Sequence, residues 1–286
     1  MNRIGTMLHI YKDDNLREKF KRIRKLGAES CQLTCWDKDI IRDLNVAKEA
    51  KRIAKEENVF ISHFWCGYEY PCKWNFFEGQ HTLGLVPPET REDRKKTLLA
   101  GVDFAATLGV KYIVTHAGFI PENPYDENYL PTINAIKEIA LKGKEKGVSF
   151  LFETGQETPV TLLRAIEDIG LDNLGINLDP ANLILYGKAN PIDALDIIGK
   201  YVKGVHAKDG LYPTDGKNLG KEVKVGLGKV NFKEFLRKLI IEYNYDYDLT
   251  IEREIGEGSI EQNKDIVDTI KYLKETIKEI EHETIN

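Results

Sequence analysis

Eight short apolar segments recur along this chain with longer stretches of helical period between them, at Ile4–Met7, Ser30–Thr34, Val59–Phe64, Tyr112–His116, Ser149–Glu153, Leu174–Asp179, Val202–His206 and Asp248–Glu252. Near-continuous apolar strands alternating with helices mark a parallel sheet covered by helices. The intervening stretches carry one-sided apolar stripes, such as Leu16, Phe20 and Ile23, or Leu98, Val102, Ala105 and Ala106. Phe232, Phe235, Leu236, Leu239 and Ile240 make another, and Ile266, Ile270, Leu273, Ile277 and Ile280 make the last. Such stripes belong to helices packed by one face. Gly27, Gly109, Gly147 and Gly170 each stand just before a strand, where a helix should stop. Eight such units in 286 residues predict a (β/α)8 TIM barrel, read as one domain over residues 1–286. No GxGxxG follows the first strand, as an open dinucleotide-binding sheet would require. Two connections, 65–89 and 207–230, are longer than usual and are expected to carry function.

Charge narrows the class of partner. Lys and Arg total 41 against 46 Asp and Glu, so the net charge of −5 offers no basic surface for nucleic acid. The first residues contain no signal-type apolar run and no segment approaches the roughly 20 apolar residues of a spanning helix, which predicts a soluble, cytoplasmic protein with no membrane partner. Cys31, Cys35, Cys66 and Cys72 form neither a CxxC pair nor zinc-finger spacing, and are expected to be reduced and structural or incidental. A homo-oligomer is compatible with this composition.

Barrel enzymes place their reactive side chains at the C-terminal ends of strands. Read in that way, strand three ends with His63, strand four with His116, strand five with Glu153, strand six with Asp179, strand seven with His206 and strand eight with Glu252. A single strand-end acid is more often an ion-pair partner or a helix cap. Four consecutive strands ending in ligand-type residues point elsewhere. Three carboxylates in one partly dry volume repel one another and need either raised pKa values or a cation. Three oxygen donors and one imidazole suit a single divalent ion, Mn²⁺ first, with Mg²⁺, Co²⁺ or Zn²⁺ as alternatives. His63 and His116 are either contacts to a substrate hydroxyl or hydrogen-bonded core histidines. His9, His81 and His282 read as incidental.

The connection after strand three, FWCGYEYPCKWNFFEGQ, supplies Trp65, Tyr68, Tyr70, Trp74, Phe76 and Phe77. Aromatic faces suit the C–H faces of a sugar, and such a loop could close over a site, although an aromatic packing cluster or subunit contact is the competing reading. Lys208, Asp209, Lys217 and Lys221 follow strand seven, where barrels often bind phosphate, but solvated surface lysines are the commoner outcome. Glu157, four residues past Glu153, is a further candidate for substrate hydroxyls.

The segments FLFETGQE, GINLDPANLILYG, GVHAKDG, VGLGKVNF and LTIERE resemble the xylose-isomerase-like superfamily. That superfamily includes sugar and sugar-phosphate isomerases, ketose 3-epimerases, inosose-processing enzymes and endonuclease IV. The resemblance runs end to end and is most specific from Glu153 to Glu254. It implies that Glu153, Asp179, His206 and Glu252 bind one Mn²⁺-type ion, with the two glutamates doubling as acid and base on opposite faces of a carbohydrate substrate. A metal bridging a carbonyl and its neighbouring hydroxyl would stabilise an enediolate, and the carboxylates would exchange the proton. Asn182 stands where the ketose 3-epimerases have a substrate-contacting histidine and where endonuclease IV has a metal ligand, and no histidine occurs between His206 and His282. The expected activity is therefore a metal-dependent isomerisation or epimerisation of a sugar, keto-sugar or sugar phosphate. A lyase or dehydratase acting on a keto-sugar or inosose is the alternative, ahead of a non-catalytic sugar-binding barrel or a nuclease. Trp65, Asn182, Lys208 and Asp209 join His63, His116 and Glu157 as expected substrate contacts.

Overall fold

The computed structural model describes residues 3–69 and 71–283, so Tyr70 lies outside the described residues. All eight expected strands form. They are β1 (Ile4–Ile10), β2 (Ser30–Cys35), β3 (Phe60–Cys66), β4 (Tyr112–Thr115), β5 (Ser149–Glu153), β6 (Leu174–Leu178) and β7 (Val202–Ala207), with β10 (Leu249–Ile251) closing the ring. The remaining pair, β8 (Asp209–Leu211) and β9 (Lys221–Val223), is an antiparallel hairpin inside the long connection after β7. Strand order around the closed barrel is β1-β10-β7-β6-β5-β4-β3-β2, and every barrel pair is parallel. The chain is thus a (β/α)8 barrel, as the alternation predicts.

Successive strand residues point to opposite faces, which separates two packing layers. Phe64, Ile113, Phe150 and Ile176 face outward into the main core under the helices. Trp65, Val114 and Leu151 face inward and form a small apolar layer within the barrel, with Met7 against it. Glu153 follows Leu151 by two residues and so shares its inward face, directly above that layer.

Two register shifts adjust which side chains point inward. Ser62 is the extra residue opposite β2, and Lys203 is the extra residue opposite β6. A bulge leaves its own backbone groups outside the ladder. At Lys203 the displaced carbonyl is met by His63, whose Nε2 lies 3.1 Å away. The His63 ring stacks on Tyr112 at 4.9 Å, at the start of β4, and burial lowers its pKa to about 4. Gly204 makes room for this arrangement, since a Cβ there would stand 2.4 Å from Asn177 Oδ1 and 2.9 Å from His63 Nε2.

The long connection after β3 contains the short helix Gly79–Thr82 and is clamped. The buried guanidinium of Arg94 donates to the carbonyls of Gly84 and Thr82 at 2.8 Å each and of Pro71 at 3.0 Å. Five donors in a planar fork can tie several carbonyls at once, and here they hold a segment that the sequence presents as a closing lid. Among the described residues no helix is long and apolar enough to cross a membrane.

Candidate metal centre and its cavity

Each of the four strand-end residues reaches the barrel mouth by a different local device. Glu153 ends β5, and Thr154 after it ties β5 to β6: its hydroxyl donates to the Asp179 carbonyl and accepts the Asp179 N–H, both at 2.8 Å. Asp179 lies one residue beyond β6 and caps helix Pro180–Leu185, its Oδ1 accepting the Asn182 N–H at 2.9 Å. Pro180 at the first helical position is preorganised for that turn. One carboxylate oxygen is therefore used to start a helix, and Oδ2 is left over.

The four residues offer one ligand atom each, all within 4.8 Å of one another. His206 Nδ1 is 3.0 Å from Glu153 Oε1, 3.1 Å from Glu252 Oε2 and 3.7 Å from Asp179 Oδ2. Yet His206 Nδ1 and Asp179 Oδ2 are buried with no hydrogen-bond partner. Buried polar atoms left in that state are costly unless something else satisfies them. On its far side, His206 Nε2 lies 2.6 Å from Gln32 Oε1, and the Gln32 amide donates to Asn177 Oδ1 at 3.3 Å. A carbonyl oxygen can only accept, so His206 carries a proton on Nε2 and turns Nδ1 toward the carboxylates, where its lone pair becomes a ligand once the second ring proton is lost. The donor set fits a divalent cation.

The electrostatics agree. Burial works against charging His206, but Glu153 and Glu252 outweigh it and hold its pKa well above the ordinary histidine range. Partial burial opposes ionisation of Glu252, but Lys208 and His206 pull it well below the carboxylate range. Burial pushes Asp179 up to about 7, with Lys208 opposing. The cluster therefore demands positive charge, and a metal would displace the imidazolium proton that otherwise supplies it. Glu153 accepts a further hydrogen bond from the Trp65 indole N–H, and His116 Nε2 is 3.6 Å from its Oε1. Burial lowers the His116 pKa, which favours the neutral ring.

A cavity of about 550 Å³ opens over this cluster. Trp65, His116, Asn182 and Lys208, all expected as substrate contacts, line it. Asn182 Nδ2 is partly committed, donating to the Thr154 carbonyl at 3.3 Å. Lys208 departs from the picture of a solvated lysine: its side chain is buried, with Nζ 2.6 Å from Glu254, 3.2 Å from Glu252 and 3.7 Å from Asp179.

Three expected contacts are not brought to the cavity wall. His63 sits below the apolar layer and serves the bulge at Lys203. The reason is that β3 runs on to Cys66, so Trp65 takes the place at the mouth that a strand ending at Phe64 would have given to His63. Asp209 is consumed by backbone: its carboxylate accepts N–H groups of Gly210, Gly226, Gly228 and Val230 at 2.9–3.1 Å and shapes the loop after the hairpin. Gly228 allows this approach, because a Cβ there would lie 2.0 Å from Asp209 Oδ1. Glu157 is buried behind Gln156, which does line the cavity, and burial pushes its pKa up to about 8. Conversely, His9 does not behave as incidental and lines the cavity, as do Trp36 and Arg22. His9 follows inward-facing Met7 by two residues, a period that was available in the sequence. Nothing local marks Gln32, whose partner is 174 residues away.

The sequence profile of the xylose isomerase-like TIM barrels matches residues 20–276. The chain belongs to that family. Uncharacterized protein MJ1311 of Methanocaldococcus jannaschii is 33% identical over 190 residues, covering 62% of this chain. The match spans 59% of that relative, less than two thirds of its length. A xylose isomerase domain protein from Planctomyces limnophilus superposes with a TM-score of 0.87 at 29% identity, covering 98% of each chain. The 3-keto-D-glucoside 4-epimerase YcjR from E. coli superposes at 0.69 with 17% identity, covering 96% of this chain and 99% of its own. Other barrels of this fold include ketose 3-epimerases and a probable 3-DHS dehydratase, and one was crystallised in complex with magnesium.

Proposed function

We propose that this protein is a divalent-metal-dependent isomerase or epimerase of a polyhydroxylated carbonyl compound, with Glu153, Asp179, His206 and Glu252 holding one ion and the two glutamates moving the proton. The observation that carries this reading is the pair of partnerless buried atoms, His206 Nδ1 and Asp179 Oδ2, facing two glutamates under an aromatic-lined cavity. A divalent ion in that position would polarise a carbonyl and acidify the adjacent C–H. The remaining work belongs to the chain's own side chains.

Glu153 and Glu252 stand on either side of His206, and strands β6 and β7 separate β5 from β10 in the barrel. Two carboxylates so separated can address a substrate carbon from different faces, one removing a proton and the other returning one. Trp65 orients Glu153 through its indole N–H, and Lys208 orients Glu252 through its ammonium. Trp36, Trp65 and Trp74 present aromatic faces to the C–H faces of a sugar and limit water at the site. Epimerases among the similar folds support this reading, and a Mn²⁺ cofactor is the ion we assign first.

The test is solvent exchange. Manganese-loaded protein in D₂O should introduce deuterium at the carbon next to the carbonyl of a keto-sugar, and Glu153→Gln or Glu252→Gln should abolish it. Full exchange in either variant would sink the acid–base assignment. A lyase or dehydratase using the same centre is the second reading, favoured by neutral His116 beside Glu153: once Glu153 has taken the substrate C–H proton, the imidazole could accept that proton and pass it to a departing hydroxyl. A dehydrated carbonyl product, instead of a stereoisomer, would decide for it.

A further inference from the structure

The cavity is larger than the centre beneath it requires. Its 550 Å³ reaches well past the four ligand atoms, which all lie within 4.8 Å of one another. It also crosses the barrel mouth. Glu153 and His116 line it from β5 and β4, while His9 and Tyr11 line it from the end of β1, on the opposite side of the ring. Beyond Glu252, Glu257 from the turn before the last helix, Gln262 from the start of that helix and Arg22 from helix Leu16–Lys25 complete that second side.

This second side is a preformed, mixed array of donors and acceptors. Arg22 Nε and Nη2 are fixed by Asn263 Oδ1 at 3.0 and 2.7 Å and by Gln262 Oε1 at 2.8 Å. Its Nη1 makes no hydrogen bond among the described residues. Gln262 is itself held, donating to the carbonyls of Arg253 and Ile255 at 2.8 and 3.2 Å. Lys19 fixes the end of β1, donating to the His9 carbonyl at 2.8 Å, pairing with Asp14 at 2.7 Å and standing 4.7 Å over the Tyr11 ring. Tyr11 remains 52% exposed, an aromatic surface next to fixed hydrogen-bonding groups. That combination suits a sugar ring.

A phosphate does not fit as well. Glu252, Glu254 and Glu257 line the same region, and Lys19 and Lys208 are both engaged by carboxylates. Even with a divalent ion and the Lys208 ammonium set against Glu153, Asp179, Glu252 and Glu254, carboxylate charge is in excess at the centre, which disfavours a further anion.

We infer that the substrate is a neutral keto-glycoside of two sugar units: the reacting unit lies at the metal centre, and a second glycosyl ring occupies a subsite formed by His9, Tyr11, Arg22, Glu257 and Gln262. The identity of the reacting unit rests on the function proposed above. The subsite itself does not.

Two measurements on the full-length, manganese-loaded protein separate the two. The first compares deuterium exchange into keto-disaccharides, the matching free ketohexoses and their phosphates. The keto-disaccharides should have a kcat/KM about tenfold or more above the free sugars, the worth of one or two good hydrogen bonds. Arg22→Ala and Tyr11→Ala should bring that ratio toward one, each checked for folding by circular dichroism. Equal or faster turnover of free ketohexoses, a preference for phosphates, or variants that lower both substrates alike would overturn the subsite. Absence of exchange in every compound sinks the proposed function instead. The second measurement then decides the subsite without turnover, by saturation-transfer NMR with cellobiose, maltose and glucose. Saturation of both rings of a disaccharide, lost from one ring in Arg22→Ala, upholds the subsite. Saturation confined to one ring in the wild type, or none at all, overturns it.

Discussion

At the ends of β5, β6 and β7 the ionisable side chains are buried and at the end of β10 Glu252 is 15% exposed, and each is aimed by a neighbour: Trp65 on Glu153, a helix start on Asp179, Gln32 on His206 and Lys208 on Glu252. At the end of β1, across the same mouth, His9 is half-buried, Tyr11 is exposed, and the groups are held by single ion pairs and amide contacts. The difference is one of task. Moving a proton needs groups fixed in a dry site, where charges act strongly, whereas recognising hydroxyls needs only a shaped, partly wet surface. The proposed function and subsite would thus place chemistry and selection on opposite sides of one cavity.

The strongest way to break that division is to compare the two sides kinetically. Glu252→Gln should lower kcat about 10²–10⁴-fold, whereas His9→Gln should act mainly on KM, by about tenfold or less. A kcat loss of equal size in His9→Gln would erase the distinction. Asp209→Ala probes the frame that carries the β10 side, because it strands four backbone N–H groups of the loop after the hairpin. Urea denaturation should show a loss of about 2–4 kcal/mol, with Asp209→Asn losing less. An unchanged midpoint for Asp209→Ala would show that the loop is held by other contacts.

Gln32→Leu sharpens the account of the buried side. It removes the acceptor for His206 Nε2–H while roughly preserving volume, and calorimetric titration should show Mn²⁺ affinity reduced about 10–100-fold. Wild-type affinity in that variant would mean that the imidazole is oriented by packing alone. The smallest effect concerns Glu157, whose carboxyl is raised from 4.5 to about 8 by burial. The folded state holds this proton more tightly than the unfolded chain. Its contribution to stability is full below about 4.5 and declines as pH rises through about 8, by at most about 1.4 kcal/mol per pH unit. Glu157→Gln should flatten that decline in denaturation curves between pH 5 and 9. A Gln variant with the wild-type slope would exclude Glu157 as its source.

The barrel was legible because eight buried strands and their helices repeat a simple pattern, and the clustering of Glu153, Asp179, His206 and Glu252 was legible because strand ends are where barrels place reactive groups. What escaped depends on contacts that no local pattern encodes. A bulge at Ser62 and two further residues of β3 moved His63 under the apolar layer and brought Trp65 to the mouth. Gln32 looks like any polar residue in a strand until the barrel closes and sets it beside His206. Asp209 resembles a site residue by position, yet its oxygens are taken by a loop whose course the sequence does not reveal. His9 is the exception, because the two-residue period from Met7 marks it once β1 is carried three residues further, to Ile10.

The central claim is that Glu153, Asp179, His206 and Glu252 form one metal centre. It is tested most directly by titrating metal-free, full-length protein with Mn²⁺ in a calorimeter and locating the ion in crystals by anomalous scattering. One ion per chain, bound among those four side chains and weakened at least about 100-fold in Asp179→Asn, is the predicted result. No bound ion, several ions per chain, or Mn²⁺ binding that survives Asp179→Asn unchanged would contradict it.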